Sequence, residues 1–234
     1  MLTLFRSAAA ALAAVALLSV AACEEASDLL TPTDDPSDTG ASGQFSELAP
    51  FTAEVDGAAL TEAIEALPVA DEVGDGYDRS LFPHWSDADG NGCDARDDTL
   101  VAQDRSETLT EDDCDAAMSG EWVSMYDGET VTESGDLDID HFVPLKEAWD
   151  SGARDWPAAD REAYANALEP PWHLVAVTAS SNRSKSDQDP AEWMPEAEEA
   201  RCAYVWAWVQ VKTEWELSVD AAESEALLGY AADC

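Results

Sequence analysis

The sequence predicts an α+β fold of modest size, and three observations lead there. Short apolar or alternating segments of strand length lie between longer segments whose apolar residues recur at helical spacing. The chain has 234 residues, 46% of them hydrophobic and 9 of them Trp, which is enough to bury a core. Its five cysteines leave an even number for cross-links once one near the N-terminus is set aside. The same figures exclude collagen-like, repeat-built and wholly disordered chains.

Read from its start, the chain looks exported. Met1–Arg6 ends in a positive charge, Ser7–Leu18 is dominated by Ala, Val and Leu, and Val20-Ala21-Ala22-Cys23 follows. The apolar run is too short to span a bilayer, so residues 1–22 read as a signal peptide. Small residues before a Cys resemble the bacterial lipoprotein signal, which would leave Cys23 acylated; the plainer reading is an ordinary cleaved signal. Either way the protein is expected outside the cytoplasm, secreted or held at the membrane by a lipid anchor alone, and monomeric. Residues 23–43, rich in Asp, Glu, Ser, Thr and Pro, form an acidic flexible tether. Residues 44–76 form a short helical lead-in, with a helix over 61–67 from the spacing of Leu60, Ile64 and Leu67. The main domain is expected over 77–234.

Within that domain, Trp122–Met125 and Glu129–Thr132 flank Asp127-Gly128, a hairpin turn. Asp138–Val143 alternates as a strand that Pro144 stops. Pro157–Leu168 reads as a helix with Pro in its first turn. Leu174–Thr178 is a β-branched strand followed by a polar loop. Glu196–Leu217 is a long helix with Tyr204, Trp208, Val211 and Trp215 on one face, a core stripe, and Asp220–Ala232 closes the chain as a helix. Cys93, Cys114, Cys202 and Cys234 allow three pairings. Cys93–Cys114 and Cys202–Cys234 are preferred because each closes a short local loop, stabilising by about 2–4 kcal/mol.

The chemistry concentrates in two segments. Asp138-Ile139-Asp140-His141 supplies hard oxygen ligands and an imidazole that takes a proton near neutral pH, although strand alternation sends Asp138 and Asp140 to one face and His141 to the other. Asn182-Arg183-Ser184-Lys185 adds an amide oxygen and two cations after a strand. The balance of 11 Lys+Arg against 51 Asp+Glu, a formal charge of −40, excludes the broad basic surface of most nucleic-acid binders. Seven of the basic residues (Lys146, Arg154, Arg161, Arg183, Lys185, Arg201 and Lys212) nevertheless fall in the region of these segments, where a phosphate would sit.

Together the D-x-D-H-x-V-P strand and the N-R-x-K-S-D segment resemble the HNH (His-Me finger, ββα-metal) endonucleases. They are especially similar to the HNH domain of RNA-guided CRISPR effectors and to exported actinobacterial proteins of that family. The resemblance covers roughly 77–234 and implies a ββα-metal finger embedded in a mostly helical, disulfide-linked domain. It implies a metal-dependent phosphodiester hydrolase acting on nucleic acid, DNA ahead of RNA. His141 would be the general base. Asp140 and Asn182, supported by Asp138, would hold one Mg²⁺ or Mn²⁺. Lys185, and less strongly Arg183, would touch the scissile phosphate. The strand-bracing position of the family falls on His173, or passes to Asn166.

A second cation site is expected on spacing alone at Asp87, Asp89, Asn91 and Asp98, which match ligand positions of a Ca²⁺ loop, though an Asp/Asn/Gly turn locked by Cys93 explains the same residues. The same residues admit two rivals to the nuclease. One is a non-catalytic, acidic, Ca²⁺-binding lipoprotein of the cell envelope; the other is a hydrolase of a small phosphoester.

Overall fold

A computed structural model describes residues 55–88, 90–110, 113–114 and 117–234. The expected signal peptide, Cys23, the tether and Asp89 lie outside the described residues. Helix α1 (Gly57–Ala66) starts where the Asp56 carboxylate accepts from the N–H groups of Ala58 at 2.9 Å and Ala59 at 3.2 Å, donors that a helix start leaves unpaired. It begins at Gly57, not Thr61, and it is no separate lead-in: Leu60 and Ile64 are buried in one cluster with Leu227 and Ala231 of the last helix.

Helix α2 (Ala95–Ala102) is capped by Asp94. Strands β1 (Ser119–Val123) and β2 (Thr130–Glu133) pair antiparallel around the Asp127-Gly128 turn, in which Gly128 takes φ +76°. Strands β3 (Leu137–His141) and β4 (Leu174–Thr178) form a second antiparallel pair, in register from Leu137 opposite Thr178 to His141 opposite Leu174. Between them lie α3 (Leu145–Asp150), entered through Pro144, and α4 (Ala158–Ala165), entered through Pro157. β4 passes without a connecting loop into α5 (Ala179–Lys185), where a polar loop is expected from local composition. Helices α6 (Arg201–Glu214) and α7 (Ala221–Ala231) complete the α+β fold, and both disulfides, Cys93–Cys114 and Cys202–Cys234, take the preferred pairings.

The β3–β4 pair divides two apolar clusters. Leu137, Ile139, Leu174 and Ala176 project to one side, with Leu100, Met118 and Trp122. Val175 and Val177 project to the other and join the larger cluster, which contains Tyr204, Trp208 and Val211 of the expected α6 stripe. Alternation therefore places Asp138 and Asp140, opposite Val177 and Val175, on the larger cluster's side, and that is how a carboxylate comes to lie deep in the fold.

A second charged group lies in the larger core. Lys212, fully enclosed, donates to Glu147 Oε1 at 2.6 Å, Glu223 Oε2 at 2.8 Å, Ser151 Oγ at 2.9 Å and Ser218 O at 2.8 Å. Such an ammonium is tolerable only because every donor finds an oxygen. One cation facing two carboxylates leaves negative charge in excess. Burial, followed by the neighbouring Glu147 carboxylate, raises Glu72 to about 7.

Candidate active site

The end of α4 sets the imidazole. A helix leaves its last carbonyls without intrahelical partners, and two of these face histidines. His141 Nε2 lies 2.8 Å from Ala165 O, and His173 Nε2 lies 2.7 Å from Tyr164 O. A carbonyl only accepts, so Nε2 of His141 carries the hydrogen, and in the neutral ring Nδ1 keeps its lone pair. Burial holds the His141 pKa well below its ordinary value, so the ring is neutral at pH 7. Tyr164 stacks at 6.4 Å between ring centroids and anchors its own hydroxyl on Val143 O at 2.6 Å.

His173 sits where a strand brace is expected: its backbone carbonyl accepts from Phe142 N at 2.9 Å, continuing the β3–β4 ladder past His141. Its ring is enclosed, and burial lowers its pKa to about 4, which fits a structural imidazole. Asn166 braces a different place. Its amide donates to Pro83 O at 2.8 Å and accepts from Ser86 N at 2.8 Å, tying the 83–86 segment to the end of α4.

Asp140 is almost enclosed. Its Oδ2 accepts from the Tyr126 hydroxyl at 2.7 Å and from the Lys185 ammonium at 2.6 Å. Lys185 also donates to His141 O at 3.3 Å and has no exposed surface. The expected phosphate contact by Lys185 therefore gives way to a different arrangement. An ammonium sealed beneath β3 holds Asp140 and the His141 backbone, because a fully buried lysine must spend its donors on acceptors within reach. Burial raises the Asp140 carboxyl and lowers the Lys185 ammonium, each against the pull of the other.

Asp138 and Asn182 meet across β3 and α5, Asn182 Nδ2 donating to Asp138 Oδ2 at 3.2 Å, with Arg183 Nε 3.6 Å from the same oxygen. α5 is itself pinned through Asp127, whose carboxylate accepts from Ser181 Oγ at 2.6 Å and from Thr178 Oγ1. Asp140, His141, Asn182 and Arg183 thus line one cavity of about 500 Å³, closed on other sides by Tyr77, Arg79, Lys146 and Asp187. The two motifs, 41 positions apart from His141 to Asn182, share a single cavity.

Among the described residues, the basic residues singled out from the sequence form no phosphate surface as a group. Lys185 and Lys212 are enclosed. Lys146 pairs with Asp150 at 2.5 Å, and Arg154, Arg161 and Arg201 donate to the backbone oxygens of Asp150, Leu81 and Pro195. Positive charge reaches the cavity instead through Arg183, whose side chain is 76% exposed, through Lys146 at its edge, and through Arg79. Arg79 is exposed, and its charge lowers the Asp140 carboxyl and the His141 imidazole through space. It stands 62 positions before His141, with no pattern joining it to either motif. Tyr126, beside the hairpin turn, likewise belongs to neither motif.

The described part of the 87–98 loop is occupied by its own backbone. Asp87 accepts from Gly90 N at 2.7 Å and Gly92 N at 3.2 Å, Asn91 accepts from Cys93 N at 2.7 Å, and Asn91 Nδ2 donates to Asp98 at 3.0 Å. The Asn91–Cys93 bond is that of an Asx turn, and the others tie the same loop together. Among the described residues no group of three or more His, Cys, Asp or Glu side chains is placed to hold a metal. The donor set of the cavity is a carboxylate, Asp140, with an amide, Asn182, and Asp138 beside it. These hard oxygens are few, which suits a cation that keeps most of its water, as Mg²⁺ does.

A family model described as GmrSD restriction endonucleases, C-terminal domain, matches residues 96–229. A protein of Arthroderma benhamiae described as an uncharacterized secreted protein is 42% identical over 160 residues, covering 68% of this chain and 76% of its own length. This relative is fungal, so the similarity is not confined to actinobacterial proteins. No solved structure gives a significant match.

Proposed function

The chain belongs to the family of GmrSD restriction endonuclease C-terminal domains, and on that premise we propose that it is an exported, metal-dependent endonuclease that hydrolyses phosphodiester bonds of nucleic acid, DNA ahead of RNA. One observation carries the reading: the neutral imidazole of His141, fixed through Nε2 on Ala165 O, lines the same cavity as Asp140 and Asn182. His141 Nδ1 takes a proton from water as the water oxygen bonds to phosphorus and the bond from phosphorus to the 3′ oxygen breaks. Asp140, Asn182 and Asp138 would hold Mg²⁺ or Mn²⁺, which when bound stabilises negative charge on the phosphate and the departing oxygen. Lys185 and Tyr126 keep Asp140 in place, while Arg79 and Arg183 receive the phosphate at the cavity mouth. The secreted description of the fungal relative and the signal-like N-terminus support export. Among the described residues no helix is long and apolar enough to cross a membrane.

The test is incubation of the mature chain with plasmid and single-stranded DNA in Mg²⁺, Mn²⁺ or EDTA, beside His141→Ala. Cleavage that needs the metal and drops about 10²–10⁴-fold in the variant supports the proposal. No cleavage under any condition, or full activity in the variant, ends it.

A further inference from the structure

Residues 81–86 form a strap against the His141 ring. Arg161 Nε holds it at Leu81 O at 3.1 Å, and the Asn166 amide holds the backbone on both sides of His84 and Trp85, at Pro83 O and Ser86 N. Asn166 directly follows Ala165, whose carbonyl orients His141, so consecutive residues at one helix end position the imidazole and the strap together. Between those clamps Trp85 has φ +61°. A bulky residue keeps this left-handed conformation only where its surroundings impose it, and such residues gather at functional sites. The Trp85 ring lies 5.7 Å from the His141 ring, and His84 lies 5.3 Å from Trp85, edge to face. Both rings are partly exposed to solvent.

The indole also packs against the smaller apolar cluster, but packing alone does not call for a partly exposed indole on a constrained backbone. A flat aromatic surface beside a phosphodiester-cleaving base matches the face of a nucleobase, which stacks on tryptophan whatever its sequence. In a duplex that face is covered by neighbouring bases. Duplex DNA also carries twice the charge per unit length of a single strand, a heavy penalty against a chain of net charge −40. We propose that Trp85 stacks an unpaired nucleobase next to the scissile phosphate, making single-stranded or locally opened nucleic acid the substrate; the proposal rests on the nuclease reading above.

The experiment uses the mature chain, Trp85→Ala and Trp85→Phe, with a single-stranded oligonucleotide, its duplex, and an abasic strand of equal length. Cleavage is followed, and binding is followed in parallel by anisotropy, so that a protein without nuclease activity still reports on stacking. The single strand is expected to bind tighter than the duplex. Trp85→Ala should weaken its binding and raise its KM about 5- to 150-fold, Trp85→Phe should restore most of that, and the abasic strand should bind wild type and Trp85→Ala alike. Equal losses on the normal and abasic strands, or duplex preferred over single strand, would overturn the proposal. Should Trp85→Ala fail to fold, wild type on normal against abasic strands decides alone.

Discussion

The Lys185 ammonium, with no exposed surface, lies 2.6 Å from Asp140 Oδ2, joining the end of α5 to the strand that carries His141. Removing one partner of such a pair strands a buried charge. Lys185→Met is expected to destabilise the protein by about 3–5 kcal/mol, and adding Asp140→Asn should recover part of that loss. Urea unfolding of the two variants measures it. A Lys185→Met protein as stable as wild type would contradict the pairing.

Two enclosed tyrosines offer a matched comparison. Tyr126 donates its hydroxyl to Asp140, whereas the Tyr204 hydroxyl is buried without a partner. Tyr126→Phe should lower the apparent affinity for Mg²⁺ or Mn²⁺ about 10–100-fold, the usual effect of losing a group that orients a metal ligand. Tyr204→Phe should leave it unchanged and keep or raise stability. Metal titration of activity, or calorimetry with Mn²⁺, separates the two; equal behaviour would mean Tyr126 does not orient Asp140.

Gly120 in β1 has no room for a side chain. A Cβ there would lie 2.7 Å from Asp104 Oδ1 and 2.8 Å from Trp122. That carboxylate accepts from the N–H groups of Ser106, Thr108, Leu109 and Glu121, so it is not free to move aside. Gly120→Ala should cost about 1–3 kcal/mol, visible as a lower melting temperature with unchanged active-site behaviour.

Glu72 gives a pH dependence of definite sign. Its pKa is about 7 in the fold against an ordinary 4.5, so between these values the folded chain keeps a proton that the unfolded chain releases. The stabilisation is fully present below about 4.5 and is lost as pH rises through about 7. In Glu72→Gln an amide hydrogen stands permanently in place of that proton. The variant should therefore gain on wild type as pH is raised, with the gap in melting temperature widest above neutrality. Parallel melting curves at several pH values would refute the assignment.

Much of this was legible in the chain itself. β4 spans the residues expected, the Asp127-Gly128 turn and the closing helix lie where they are expected, and the shortest-loop rule paired all four cysteines. The two motifs brought His141, Asp140 and Asn182 to one cavity. What stayed hidden was decided by tertiary packing. α5 buries only Lys185 of its seven residues, so it has no apolar period to announce a helix. Nothing local distinguishes a lysine sealed in a core, such as Lys185 or Lys212, from one that would grip a phosphate. Arg79 and Tyr126 belong to neither motif and are joined to the site by folding alone.

The partition formed by β3 and β4 has one more implication. Because both cores press on it, disturbing either from a distance can tilt the same pair of strands and with it the imidazole. A search for second-site revertants of a weakened active site should accordingly recover compensating changes on both sides, around Leu100 and Met118 as well as around Val205 and Val209.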